Sequence, residues 1–182
     1  MTDERIVPVP GLWGDCTSQE AMAAATRIAE DIEPDARPWL VGTDDGCDEH
    51  GRSVRWEMRF DLPERRSEAV VTIGFTFDEK AQTHGDAVGS VRLLPFPSQG
   101  SELAKMALAG QITGRRLRSV WRQQMREREP LPDDFPDSSV MASAVAPEEI
   151  RSAYARITRM RGAVWVVETR GRTRHLRIDD LR

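Results

Sequence analysis

Residues 54–60 alternate without a break. Val54, Trp56, Met58 and Phe60 share one parity, and Arg55, Glu57 and Arg59 share the other. A period of two marks a strand with one dry face and one wet face. Ala69, Val71, Ile73, Phe75 and Phe77 repeat the pattern. Strands of this kind must bury their apolar side against a second layer. The preceding segment supplies one: Ala21, Ala24, Ala25, Ile28 and Ile32 recur at helical spacing. Thr17 or Ser18 suits the cap of this helix, and Pro34 and Pro38 stop it. Its small side chains suit close packing on a flat surface, which a sheet provides.

Further strand signals flank this unit. Trp39, Leu40 and Val41 lead into an acidic, glycine-bearing loop at 44–51, and Val88–Leu94 reads as a strand closed by Pro95 and Pro97. Residues 18–100 therefore read as one helix and an antiparallel sheet of about four strands. Residues 1–17, with Pro8 and Pro10, read as an extended arm. Residues 101–128 read as helix, with Leu103, Met106, Gly110, Gly114, Leu117, Trp121 and Met125 on one stripe. The other side carries Arg115, Arg116, Arg118, Arg122, Arg126 and Arg128. Gly110 and Gly114 each cost about 1 kcal/mol in a helix interior, which predicts a break near them. Pro130, Pro132 and Pro136 mark a loop.

Residues 138–182 read as a shortened echo of 18–100. Ser138–Ala144 is a candidate strand. Pro147, Glu148 and Glu149 suit a helix start, and Ile150, Ala153, Tyr154 and Ile157 form its stripe. Arg159, Arg161 and Gly162 suit its end. Ala163–Thr169 and Thr173–Ile178 then form a hairpin through Arg170, Gly171 and Arg172. The expected fold class is α+β: an antiparallel sheet with helices on one face. It is built either as two related lobes joined through 101–137 or as one packed domain.

The layout resembles that of PepSY-like domains. The Ala-rich helix, the segment "DARPWLVG", the turn and Trp-centred strand "DEHGRSVRWEMRFDLP" and the next apolar strand follow that order. "FPDSSVMASAVAPEEI" is similar to the segment entering a second helix, and "VWVVETRGRTRHLRIDD" to a closing hairpin. The likeness spans about 100 residues and rests on Gly51, Trp56, Phe60, Trp165 and Asp179. It implies a non-catalytic module that binds or restrains a partner protein.

Bulk composition narrows the function classes. With 39% hydrophobic and 31% charged residues the chain is globular rather than disordered. No apolar run reaches the ~18 residues of a membrane helix. The acidic start has no signal-peptide core, so a cytoplasmic protein with Cys16 and Cys47 as reduced thiols is expected. Charge is split: residues 1–100 carry a net −9 and residues 101–182 a net +5. Two packed halves of opposite sign, or an acidic partner for the second half, would each account for this. Only Lys80 and Lys105 are lysines, a bias of the kind that genomic base composition produces, so arginine richness by itself carries little functional weight.

Three constellations carry candidate chemistry. Cys16 with His50, His84 or His175 is a possible nucleophile and base, and its place before a helix start predicts a lowered thiol pKa. Asp44, Asp45, Asp48, Glu49 and His50 crowd one loop, as a cation site would, but lack an EF-hand register. Cys47 and His50 have zinc-like spacing and would need Cys16 and His84 to complete a site. "GQITGRR" lacks the spacing and the lysine of a phosphate loop. No catalytic, cofactor or metal residue is assigned from these.

The surface feature that stands out is Arg115, Arg116, Arg118 and Arg122 with Trp121. It suits an acidic protein partner, a nucleic-acid backbone, or solvent with Glu127 and Glu129 as local partners. The expectation is a non-enzymatic protein-binding or adaptor protein using this face, with no membrane partner. The alternatives are nucleic-acid binding through the same helix, or a ligand pocket lined by Trp56, Met58 and Phe75. Trp13, in the arm, either docks back on the protein or anchors a partner.

Overall fold

The computed structural model describes residues 4–78, 80, 83–97, 101–146, 148–158 and 160–182. Eight strands run β1 (Glu4–Trp13), β2 (Arg37–Thr43), β3 (Arg55–Leu62), β4 (Ser67–Asp78), β5 (Thr83–Pro95), β6 (Ile150–Thr158), β7 (Gly162–Thr169) and β8 (Arg172–Arg177). The helices are α1 (Ser18–Glu30), α2 (Glu102–Leu108), α3 (Gly114–Glu127) and α4 (Ser138–Ser143). All eight strands join one antiparallel sheet in the order β1-β5-β4-β3-β2-β6-β7-β8. The α+β class with an antiparallel sheet is therefore as the alternation predicts.

The dry parity forms the core. Trp56, Met58, Phe60, Ala69, Val71 and Ile73 are fully buried, and α1 covers them with Ala21, Ala24, Ala25 and Ala29. Full burial of each large side chain contributes roughly 1.5–3 kcal/mol. The alanines let α1 lie close to the strands, and Gly89 continues this flatness: a Cβ there would meet the Ile28 side chain at 2.8 Å. This packing corrects the expected ligand pocket. Trp56 and Met58 are sealed, and Phe75 is packed against the same core.

Three further expectations are corrected, and one left open is decided. The arm is strand β1, paired to β5 from Glu4↔Arg92 to Trp13↔Asp86. Ser138–Ser143 is helix α4, not a strand. The helix expected from Pro147 onward is strand β6, in which Ile150, Ala153 and Ala155 are buried. Those residues fit either period, and pairing with both β2 and β7 decides for the strand. Finally, 18–97 and 138–182 share one sheet through β2 and β6, where Val41 lies opposite Ala155. Pro147 and Arg159 lie outside the described residues, as do the side chains of Phe77, His84, Met125 and Arg126. The break near Gly110 is present: α2 ends at Leu108 and α3 starts at Gly114.

The repeat within the chain sits one element earlier than the sequence suggests. α1-β2-β3-β4 corresponds to α4-β6-β7-β8, with β2 and β6 adjacent and antiparallel where the two units meet. Trp56 on β3 and Trp165 on β7 are both fully buried. Trp56 donates its indole N–H to the Cys16 carbonyl at 2.9 Å, and Trp165 to the Pro136 carbonyl at 3.0 Å. Each acceptor lies two residues before the first residue of its helix.

The two helix starts meet. The Ser18 N–H donates to Ser138 Oγ at 2.8 Å, and the Ser138 N–H donates to Ser18 Oγ at 2.9 Å. This reciprocal pair joins the first residues of the two corresponding helices. It satisfies donors that a helix start leaves without intrahelical partners, inside a site where no solvent reaches either serine.

Candidate partner-binding face

Residues 101–128 form a helical hairpin attached to the sheet face opposite α1. Strand alternation places Asp61 and Glu68 on that face, since Phe60, Leu62 and Ala69 belong to the core. Arg128, just after α3, donates to Asp61 Oδ1 and to Glu68 Oε2, each at 3.0 Å. Its guanidinium also lies 4.4 Å from the centre of the Trp39 ring. Arg59 donates to Glu68 Oε1 at 3.3 Å and to Glu57 Oε1 at 2.9 Å. Burial pushes the Asp61 carboxyl up to about 6, against the opposing pull of Arg128. Arg128, grouped by sequence with the exposed arginines, is thus the clamp of the hairpin.

Trp121 corrects the expected site. Only 6% of it is exposed, and its ring centre is 4.9 Å from that of Phe96. It anchors α3 to the chain after β5 and offers no surface to a partner. Ser101 caps α2 and Thr113 caps α3 through their side-chain oxygens. The remaining predicted residues stand together: Arg115, Arg116, Arg118 and Arg122 are all exposed on α3. Among the described residues their guanidiniums form no ion pair or side-chain hydrogen bond.

Truncating the clamp has a sizeable expected effect. Arg128→Ala leaves Asp61, of low exposure, without its ion-pair partner and Glu68 with Arg59 alone, which costs about 2 kcal/mol. Limited proteolysis checks this: cleavage within 101–128 is expected to speed up in the variant, well before global unfolding.

The other candidate chemistries resolve against catalysis by the thiols. Burial pushes the Cys16 thiol up to about 12, with Glu20 adding to the effect, so the expected lowering is corrected. Cys47 is pushed up to about 12 by burial and by Asp48. Neither thiol is ionised near neutral pH, and the thiolate is the nucleophile. In the acidic loop, Asp48 Oδ1 accepts the N–H groups of His50 and Arg52, at 2.9 and 2.8 Å. That carboxylate organises a turn. Among the described residues no cluster of three or more His, Cys, Asp or Glu could hold a metal ion. His175 is exposed on β8, and Trp13 is 73% exposed on β1.

Two organising residues have no clear signal in the sequence. Glu33 is buried after α1, and its two carboxylate oxygens accept the N–H groups of Glu64 and Arg65 at 2.9 and 3.1 Å. Asp137 caps α4 and also accepts from Ser18 Oγ and from the Gln19 N–H of α1. The "PDSS" segment does hold a capping signal for Asp137, which a strand at 138–144 obscures. No protein-family model, curated protein or solved structure matches this chain.

Proposed function

We propose that this is a non-enzymatic binding protein whose α3 carries a docking face for an acidic surface of a partner protein. The observation that carries it is four exposed guanidiniums, unpaired among the described residues, on a helix fixed from its other side by Trp121 and Arg128. A clamped helix presents its charges with little further ordering cost, which is the condition for affinity from few contacts. Arginine is also favoured at interface centres because its planar fork pairs with carboxylates two bonds at a time. The resemblance to PepSY-like domains points the same way.

The test is a four-site reversal, Arg115→Glu with R116E, R118E and R122E. Wild-type protein is expected to retain a stoichiometric protein from host lysate after nuclease treatment, and the reversal variant to lose it with its circular dichroism unchanged. Retention by both proteins would remove α3 from the interface. Recovery of nucleic acid alone, weakening steeply with salt, would reassign the same face to a phosphate backbone.

A further inference from the structure

The sheet has two edges, and they differ. β1 carries Pro8 and Pro10, which have no N–H to donate, and its register to β5 shifts between Pro8 and Trp13. β8 contains no proline and pairs with β7 without a shift from Val164↔Arg177 to Thr169↔Arg172. Its outer side is unpaired in the sheet order, so every second residue turns its N–H and C=O away from β7. β8 is therefore the edge on which an added strand can form a regular ladder.

Charge selects what could be added. Arg172, Arg174, His175 and Arg177 are exposed, and the three guanidiniums form no ion pair among the described residues. Like charges directly opposite each other weaken a strand pair, and opposite charges support it. A second β8 would set arginine against arginine. An acidic strand would find cations on both faces, because Arg172 and Arg174 share one parity and Arg177 has the other.

The surface beside β8 is hollowed on both faces. One hollow, of about 510 Å³, has Val145 and Ala146 beside Arg172 and Arg174. Its one acid, Glu148, already accepts a hydrogen bond from Thr169 Oγ1 at 2.7 Å. The other hollow, of about 560 Å³, has Met160 and Val164 beside Arg161, His175 and Arg177. Met160 is 95% exposed. Alternate side chains of an added strand would enter these two hollows in turn, the arrangement by which strand addition gains specificity.

We infer that β8 is a strand-addition site for an extended acidic segment of a partner protein, separate from the α3 face. The backbone ladder supplies affinity, the arginines select acidic residues, and the hollows hold apolar ones.

The test uses the full chain and a labelled, end-capped peptide, Val-Glu-Glu-Val-Val-Glu-Glu-Val, read by fluorescence anisotropy. The peptide is expected to bind. Affinity should fall about tenfold or more in a variant carrying Arg172→Glu, R174E and R177E, as the two attractive cross-strand Glu–Arg pairs that a register of this peptide allows become repulsive. A peptide N-methylated on every residue, which has no N–H left on either edge, should not bind. The four-site α3 variant should bind as wild type, which separates this site from the proposed α3 face. Absence of peptide binding would overturn the inference. Binding of the fully methylated peptide, or of a Lys-for-Glu peptide, as tight as that of the parent would also overturn it. Self-association of the wild type that the β8 variant abolishes would show a second copy as the occupant and refute the acidic partner.

Discussion

Gly51→Ala is expected to cost more than alanine at any other described glycine. Gly51 has φ +73°, where a Cβ is disfavoured by about 1–2 kcal/mol. Steric contact costs more still. A Cβ at Gly51 would fall well inside van der Waals distance of the Ser138 carbonyl group and the Ser139 nitrogen, all backbone of the first turn of α4. Backbone cannot rotate away as a side-chain tip can. The Gly51 carbonyl also accepts the Ser138 hydroxyl at 2.6 Å, so displacement breaks a buried hydrogen bond next to the serine pair. Strain, overpacking and the lost bond together come to about 4 kcal/mol or more, a large share of the stability of a small protein. Urea unfolding followed by circular dichroism checks this. Gly171→Ala is the control: its φ is +83° but nothing lies within 4 Å of the added carbon, so about 1 kcal/mol is expected there. Equal losses in the two variants would mean that the close approach of loop and helix is not as tight as described.

Asp137→Asn is expected to destabilise by about 2–3 kcal/mol at neutral pH, and to do so in a pH-dependent way. Burial by itself would raise the Asp137 pKa. Donors from Gln19, Ser139, Ser18 and Thr17 overcome that and hold it below its ordinary 3.8. Oδ1 accepts the Ser138 N–H at 2.8 Å and the Gln19 N–H at 2.9 Å, and Oδ2 accepts the Ser139 hydroxyl at 2.9 Å. One carboxylate thus faces the starts of two helices, where negative charge is favoured. A folded-state pKa below the unfolded one contributes stability that is complete above the unfolded value and is lost as pH falls through the folded value. The difference between wild type and variant should therefore be constant above about pH 5 and shrink below about pH 4. Asp61 has the opposite sign, since its folded value of about 6 lies above 3.8. Its effect is common to both proteins and cancels in the difference. A gap unchanged down to about pH 3 would remove the charge from the argument and leave only cap geometry.

The strand-forming parts of this fold are legible in the sequence because alternation is a local property. Trp56 through Phe60 can bury one side only by lying in a sheet, and the Ala21 to Ile28 stripe can pack closely only on something flat. The β7–β8 hairpin is equally legible from Gly171 and the flanking apolar run. Between 138 and 158 the pattern misleads. There the apolar residues satisfy both periods, and β2 and β7 on either side of β6 decide for a strand.

The same division holds for the surface. The exposed arginines of α3 are visible as a helical stripe. That Trp121 faces inward and Arg128 clamps the hairpin depends on Phe96, Asp61, Glu68 and Trp39. Asp61, Glu68 and Trp39 are all far from Arg128 along the chain. The amino-acid order alone determined the dry faces of β3 and β4, the close-packing stripe of α1 and where charge would collect. Tertiary structure decided the meeting of Ser18 with Ser138, the demand for glycine at 51 and the free edge at β8. Each of these depends on which distant segment arrives opposite a residue, and that is set by the packing of the whole sheet.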